Sequence, residues 1–196
     1  MATTNTSKRV QWLTQLALLT AITIVLEILA MLMGKLGPLP FRITLALVPI
    51  VIGAAVLGVG EGGWLGLVFG IVVLLSGDAA PFMAFTVPGT VITVLGKGIG
   101  AGLAAGGVYK LLEKKNQTVA AIAAAVAAPI ANTGLFLLGC RAFFMPLLAE
   151  WAGGQPVARY MLLGLVGTNF LVEFTTVAVL SGVIVRIIKI WKAKRG

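Results

Sequence analysis

The length of its apolar segments constrains this chain more than any other feature. An α-helix rises ~1.5 Å per residue, so it needs about 20 consecutive apolar residues to cross a bilayer. Four segments reach that length and two are shorter. The segments are 10–33, 43–58, 64–76, 89–112, 118–140 and 161–190. The sequence therefore predicts an all-α membrane protein with a single domain over 1–196, folded as a bundle of six transmembrane helices.

The second and third segments are the short ones, and a glycine-rich stretch over 59–63 lies between them. We interpret this stretch as a connecting turn. Neither segment is long enough for a straight crossing, so we expect both to be tilted, broken or partly buried in the bundle.

The charged residues are few and unevenly placed. Charged residues make up 11% of the chain and hydrophobic residues 59%, which leaves too little polar surface for a soluble protein of this size. The formal net charge is +9, and most cations lie in the two tails and in the short loop around Lys114. Because cytoplasmic loops are enriched in Lys and Arg, we predict that both termini are cytoplasmic. This placement accounts for the positive charge, so no nucleic-acid partner is expected.

Several kinds of chemistry are excluded by missing residue types. The chain has no histidine and one cysteine, Cys140, which rules out His-based catalytic triads and an internal disulfide. The pair Gly96-Lys97 lacks the earlier glycine and the following Ser or Thr of a nucleotide-binding P-loop. The acids within the segments, Glu27 and Glu173, are not spaced as a metal pair or a general acid–base couple. We therefore expect no enzyme activity, no metal and no cofactor.

Lys97 lies inside the fourth segment, where a charge is costly. Placing a lysine at the bilayer centre costs at least ~2.5–3.5 kcal/mol, so such residues face a cavity or a partner. Asn132 and Asn169 lie, like Lys97, eight residues from the outer end of their segments. All three are thus ~12 Å below the outer boundary. Glu173 follows Asn169 by four residues and shares its helix face. The sequence predicts that these four side chains meet.

Two interpretations of this polar set remain open. In one, Lys97 forms a structural ion pair with Glu173 or Glu27 that only neutralises its charge. In the other, the set lines a solute pocket in which Lys97 meets an anionic group and the asparagines bind amides or hydroxyls. Both hold if a glutamate pairs with the lysine until substrate arrives. The predicted substrate-binding residues are Lys97, Asn132, Asn169, Glu173 and Arg141.

The outer connections, 77–88 and 141–160, are longer than the inner ones and carry aromatic residues and glycines. One interpretation is that they form lids over a site that opens outward. The other is that their aromatic residues form a belt at the membrane interface.

Small residues recur every four positions in two segments. The third has Gly62, Gly66 and Gly70, and the fourth has Gly98, Gly102 and Gly106. Such stripes let helices approach closely in a membrane, and we predict that they serve helix packing. A further pair, Ala17 and Ala21, lies low in the first segment, where either packing or partner docking is expected.

These features together resemble a known family. They are the Ala17-x-x-x-Ala21 pair, the run from Arg42-Ile43-Thr44 through Pro49 followed by the glycine-rich stretch 58–70, and the polar set beneath the outer loops. Over about 10–190 the chain resembles the substrate-binding S components of energy-coupling factor (ECF) vitamin transporters, which are small bacterial six-helix membrane proteins. One departure is that the first outer loop, 34–41, is short. The loops before the fourth and sixth helices would then have to close the pocket.

The resemblance implies a high-affinity vitamin-binding subunit in a bacterial plasma membrane. It implies association with a transmembrane T subunit, on which Ala17 and Ala21 would dock, and with two ATPase subunits that supply the energy. It also implies that the protein topples in the membrane to release solute inside. The glycine-rich pattern looks most like that of the pantothenate-type members, and folate or another anionic vitamin would suit the same lysine. The main alternative function is a stand-alone channel or carrier for a small solute.

Overall fold

Helices account for nearly all of the residues that the computed structural model describes, 2–36 and 45–193. They are α1 (Ala2–Leu36), α2 (Leu47–Val56), α3 (Val59–Leu75), α4 (Ala80–Phe85), α5 (Val87–Leu112), α6 (Gln117–Phe143), α7 (Met145–Trp151), α8 (Val157–Arg159) and α9 (Gly167–Ala193), with a π-helical turn at Tyr160–Leu165. Within these ranges there is no strand. The Arg42-Ile43-Thr44 run, most of the first outer loop, and Lys194 and Arg195 lie outside the described residues.

Among the described residues, four helices are long and apolar enough to cross a membrane. The candidate spans are Ser7–Met33, Val87–Leu112, Gln117–Phe143 and Gly167–Trp191. Their outward faces carry large apolar side chains, such as Leu18, Leu138 and Val179, that the bundle leaves exposed. A bilayer accommodates such a surface, whereas water penalises it. The fold is consistent with an all-α membrane protein, and these spans correspond to the four segments predicted to be long enough.

Helix α2 occupies the centre of the bundle. Nine of its ten residues are buried, and it contacts α1, α3, α5, α6 and α9. The alanine-rich face of α6 packs into the same core, where Ala121, Ala124 and Ala125 are fully buried. At ~1.5 Å per residue α2 is only ~15 Å long. Its apolar character therefore reflects burial among helices rather than contact with lipid.

Helices α3 and α5 pack together through glycines. A methyl group placed on Gly66 would collide with the carbonyl oxygen of Gly98, and one on Gly98 with that of Gly66. Gly62, one turn before Gly66 on α3, and Gly102, one turn after Gly98 on α5, exclude side chains from each other in the same way. Because residue numbers rise along α3 as they fall along α5, the two helices are antiparallel. The predicted use of the glycine stripes in helix packing is confirmed.

The interpretation of 59–63 as a connecting turn is wrong, because α3 already begins at Val59. The chain reverses at Gly58, whose φ of 144° is a conformation that residues with a side chain rarely adopt. Glu61 lies in the first helical turn, where a carboxylate interacts favourably with the helix dipole. It also accepts a hydrogen bond from the indole of Trp12 at 3.2 Å, which links α3 to α1.

The two connections predicted to be on the outer side are largely helical rather than open loops. The stretch 77–88 contains α4, and 141–160 contains α7 and α8. The ring of Phe82 in α4 contacts those of Phe136, Phe144 and Trp151, with centroid distances of 5.8, 4.9 and 5.3 Å. We call these four rings the aromatic cluster. Since edge-on aromatic pairs are favourable at such distances, the cluster ties α4 and α7 to α6.

The last membrane segment begins differently from its prediction. The regular helix α9 starts at Gly167, and the residues Tyr160–Leu165 before it form a π-helical turn. The sequence shows only an apolar run from 161 onward, because hydropathy does not distinguish π from α geometry. Single π turns occur frequently at functional sites.

Candidate functional site

A cavity of about 340 Å³ lies among α1, α3, α5, α6 and α9. Pockets for small organic ligands have volumes of ~300–1,000 Å³, so this cavity suits a small solute. The wall combines charged, amide and aromatic side chains. The lining residues are Glu27, Phe69, Val73, Asp78, Phe82, Lys97, Asn132, Thr133, Phe136, Leu165, Val166, Asn169, Phe170 and Glu173.

Lys97 reaches this cavity from the middle of α5 and is half-buried. Its Nζ lies 5.0 Å from the ring centroid of Phe136 and 5.9 Å from that of Phe69. An ammonium group this close to an aromatic face is attracted by the ring quadrupole. The lysine therefore lies between two rings and faces a polar cavity instead of lipid.

Asn132 and Glu173 form a buried pair across α6 and α9. The Nδ2 of Asn132 donates a hydrogen bond to Oε2 of Glu173 at 3.4 Å. The two residues are only 6% and 7% exposed. In this pair the amide nitrogen of Asn132 is the donor and the carboxyl oxygen of Glu173 is the acceptor. The Oδ1 of Asn132 is buried and has no hydrogen-bond partner among the described residues.

Carboxyl groups outnumber ammonium groups around the cavity. Among the described residues, the lining includes Glu27 from α1, Asp78 from the stretch before α4 and Glu173 from α9, against one lysine, Lys97. Glu27 belongs to a candidate membrane span, and its side chain is buried inside the bundle, with 4% of its surface exposed. In the part of the chain that the structure describes, no three Cys, Asp or Glu residues are grouped closely enough to hold a metal ion.

The aromatic cluster forms part of the cavity wall. Phe82 and Phe136 belong to both the cluster and the lining. Phe144, which contacts Phe82, is 1% exposed and belongs to a second small core with Cys140 and Leu148. Helix α4 therefore covers one part of the cavity with the ring of Phe82. The contact between Phe82 and the buried Phe144 holds α4 in place.

The structure brings together four of the five predicted substrate-binding residues. Lys97, Asn132, Asn169 and Glu173 all line the cavity, and Asn169 keeps much of its surface exposed. Arg141 is exposed and is not among the lining residues. It follows Asn132 by nine residues on α6, which at ~100° per residue places it on the opposite side of the helix.

Ala17 and Ala21 are both exposed on α1. They take no part in the core of the bundle, so the packing interpretation of this pair does not apply within the described part of the chain. The surface around them remains available for contact with lipid or with another protein.

Sequence reasoning missed several lining residues. Phe136 could have been found, because it follows Asn132 by four residues on one helix face. Asp78 was recognised only as part of an outer connection, and Phe69 only as part of a glycine-rich segment. Their positions in the wall depend on how α3 and the following turn pack against α5. This packing involves residues far apart in the chain, so no local sequence pattern predicts it.

The arrangement is chemically suited to binding a small solute. It offers an ammonium group, carboxyl and amide groups and four phenylalanine rings to one bound solute. Polar groups at few defined positions within an aromatic wall are typical of small-molecule sites. Comparison of the chain with protein-family models, with curated proteins and with solved structures found no match.

Proposed function

We propose that this chain is the solute-binding S component of an ECF-type transporter that imports a water-soluble vitamin across a bacterial plasma membrane. The observation that carries the proposal is the polar cavity enclosed by long apolar helices, with Lys97 in its wall. An ionisable residue at that depth marks a ligand or ion pathway by default. The resemblance in sequence supplies the transporter class.

The proposed topology has six membrane segments with both termini in the cytoplasm. Four are the long helices, and α2 and α3 are the remaining two. In this topology α2 forms the buried part of the second crossing, since it is short and surrounded by other helices. The excess of cations in the tails and in the loop around Lys114 supports this orientation.

The chain is not expected to energise transport itself. It has no P-loop motif, so ATP hydrolysis is assigned to two partner ATPases, coupled through a transmembrane T subunit. The exposed Ala17 and Ala21 on α1 support a docking surface for that subunit, because small residues let two membrane helices approach closely.

Mass spectrometry of the solute carried through purification tests the binding function. We expect one small compound at close to one equivalent per chain, with pantothenate as the first to be sought. Lys97→Met should abolish its retention, because the charged group that faces the solute is lost. Lys110→Met, an exposed position near the end of the same helix, should retain it. Equal retention by both variants would contradict the assignment of Lys97.

Assembly is tested separately by co-purification with T and ATPase subunits expressed together with the chain. Ala17→Trp and Ala21→Trp should each reduce recovery of the complex while the chain alone remains folded, because both positions are exposed. Met33→Trp, at an exposed position about 160° around α1 from Ala17, is the matched control. Solute flux into proteoliposomes that contain this chain alone, without ATP, would instead support the stand-alone carrier.

A further inference from the structure

Positive charge is concentrated at one end of the bundle, where α5 and α9 end and α6 begins. The hydrogen bond between Trp12 and Glu61 places the first part of α1 beside the start of α3 at this end as well. Among the charged side chains that the structure describes, this end carries two acids and seven cations, which are Lys8, Arg9, Lys110, Lys114, Lys115, Arg186 and Lys189. The opposite end carries two cations and two acids. The first end is therefore strongly positive.

Arg186 lies further inside a candidate membrane span than the other six cations. It is five residues before the end of the span Gly167–Trp191. Val183, three residues before it, and Ile190, four residues after it, share its face of α9 and are 51% and 58% exposed. The buried Ile184 lies about 160° around the helix from Arg186. The exposed Arg186 therefore projects from the lipid-facing side of α9, between two apolar side chains.

The head group of Arg186 is within reach of the membrane interface. The end of the span is ~7.5 Å away along the helix. A charge among lipid tails is costly, and a long basic side chain avoids that cost by extending its head group to the interface. Lys189, exposed and one turn nearer to the end of α9, brings a second cation to the same level. Helix α9 has no acid after Glu173, ~20 Å away, so no carboxylate of the same helix reaches this pair.

The connection between α5 and α6 lies at a similar level and is also basic. Asn132 and Glu173 are hydrogen-bonded, and their helices run in opposite directions. Thirteen residues after Glu173 is Arg186, and thirteen residues before Asn132 is the first turn of α6. The exposed Lys114 and Lys115 precede that turn, so they add positive potential at the level of Arg186 without lying on its helix.

We propose that Arg186 and Lys189 bind the phosphodiester headgroup of an anionic phospholipid. The planar guanidinium of Arg186 donates two parallel hydrogen bonds to phosphate oxygens, and the ammonium of Lys189 offsets the net charge of the lipid. The acyl chains lie along the exposed face of α9 that includes Val183. Lipid is favoured over a protein partner because Arg186 emerges inside a span, where the anions at the interface are lipid phosphates. This inference does not depend on the proposed function.

Native mass spectrometry of the full-length chain in detergent, titrated with phosphatidylglycerol or phosphatidylcholine, tests the site. Both lipids have a phosphodiester, but only phosphatidylglycerol has a net negative charge. We expect it to bind at least about tenfold more tightly, since each cation near an anionic headgroup contributes about fivefold. Arg186→Gln/Lys189→Gln should remove most of this preference. Arg186→Lys/Lys189→Arg, which keeps both charges, should retain it.

A charge-matched control separates a defined site from a diffuse positive field. Lys114→Gln/Lys115→Gln removes the same charge at the same end of the bundle and should keep most of the preference. An equal loss in this control and in Arg186→Gln/Lys189→Gln would overturn the inference. So would equal binding of the two lipids by the unmodified chain.

Two further measurements distinguish other ligands of the same pair. Soluble glycerol phosphate should not displace phosphatidylglycerol, because it has no acyl chains to lie along α9. Displacement would assign the pair to a soluble phosphate compound and overturn the lipid site. The inference also fails if Arg186→Gln/Lys189→Gln keeps the lipid preference but lowers recovery of co-expressed T and ATPase subunits, because the pair would then contact protein.

Discussion

Gly66 on α3 and Gly98 on α5 face each other so closely that each excludes a side chain on the other. A methyl group at either position would overlap the carbonyl oxygen of its counterpart. Lipid provides no hydrophobic drive for helices to associate, so close van der Waals contact between backbones takes that role. Lys97 directly precedes Gly98, and the rotation of α5 set by this contact therefore helps to aim the lysine at the cavity.

Gly66→Ala should lower the stability of the chain in nanodiscs by ~1–3 kcal/mol, the usual cost of overpacking. Thermal unfolding followed by circular dichroism measures the effect. Gly96→Ala is the control, because Gly96 lies two residues away on the other side of α5, where no atom would lie within 4 Å of the added methyl. It should be neutral or slightly stabilising, since alanine favours a helix more than glycine does. Equal effects of the two changes would show that the α3–α5 contact is looser than described.

Gly58→Ala should also destabilise the chain, by ~1–3 kcal/mol, because its backbone conformation strains any residue with a Cβ. The added methyl would also meet Oε2 of Glu61. Gly60→Ala, two positions later in exposed helix with nothing within 4 Å, should be tolerated. Comparing the melting temperatures of Gly58→Ala and Gly60→Ala separates strain at Gly58 from a general effect of alanine near the start of α3. A fully tolerated Gly58→Ala would revive the view of 59–63 as an adaptable turn.

Asn132→Leu should destabilise the chain by ~1–3 kcal/mol, because Oε2 of Glu173 loses its donor in a buried position. The double change Asn132→Leu/Glu173→Leu should recover part of that loss, since no polar group is then left unsatisfied. A double-mutant cycle of unfolding free energies measures the coupling between the residues. Strictly additive effects would mean that the pair contributes nothing as a pair.

Phe82→Ala should speed release of a bound solute by about tenfold, because three edge contacts, each worth ~0.5–1.5 kcal/mol, hold α4 against the cavity. Release is measured by diluting the loaded protein and following the rate with time. Phe85→Ala, in the same short helix, removes a more exposed ring whose contact with Phe144 is longer, at 6.4 Å. It should change the release rate little. Similar acceleration by both changes would point to unfolding of α4 rather than to a role for one ring.

The long helices were predictable because their signals are local. The segments predicted over 89–112 and 118–140 correspond to Val87–Leu112 and Gln117–Phe143. Hydropathy marks their lengths, and Asn116 marks the start of α6, where its side chain accepts hydrogen bonds from Thr118 N and Val119 N at 2.8 and 3.2 Å. The prediction that Lys97, Asn132 and Asn169 lie at a common depth used only the rise of a helix, and all three line one cavity.

The sequence by itself determined which helices are long and apolar, and which polar residues lie at one level along them. Tertiary structure decided that α2 is buried at the centre, that Arg141 lies away from the cavity and that Asp78 and Phe69 line it. The physical reason is that depth depends only on the rise along one helix. The direction of a side chain across the bundle depends on helix rotation, which contacts between distant residues such as Gly66 and Gly98 set.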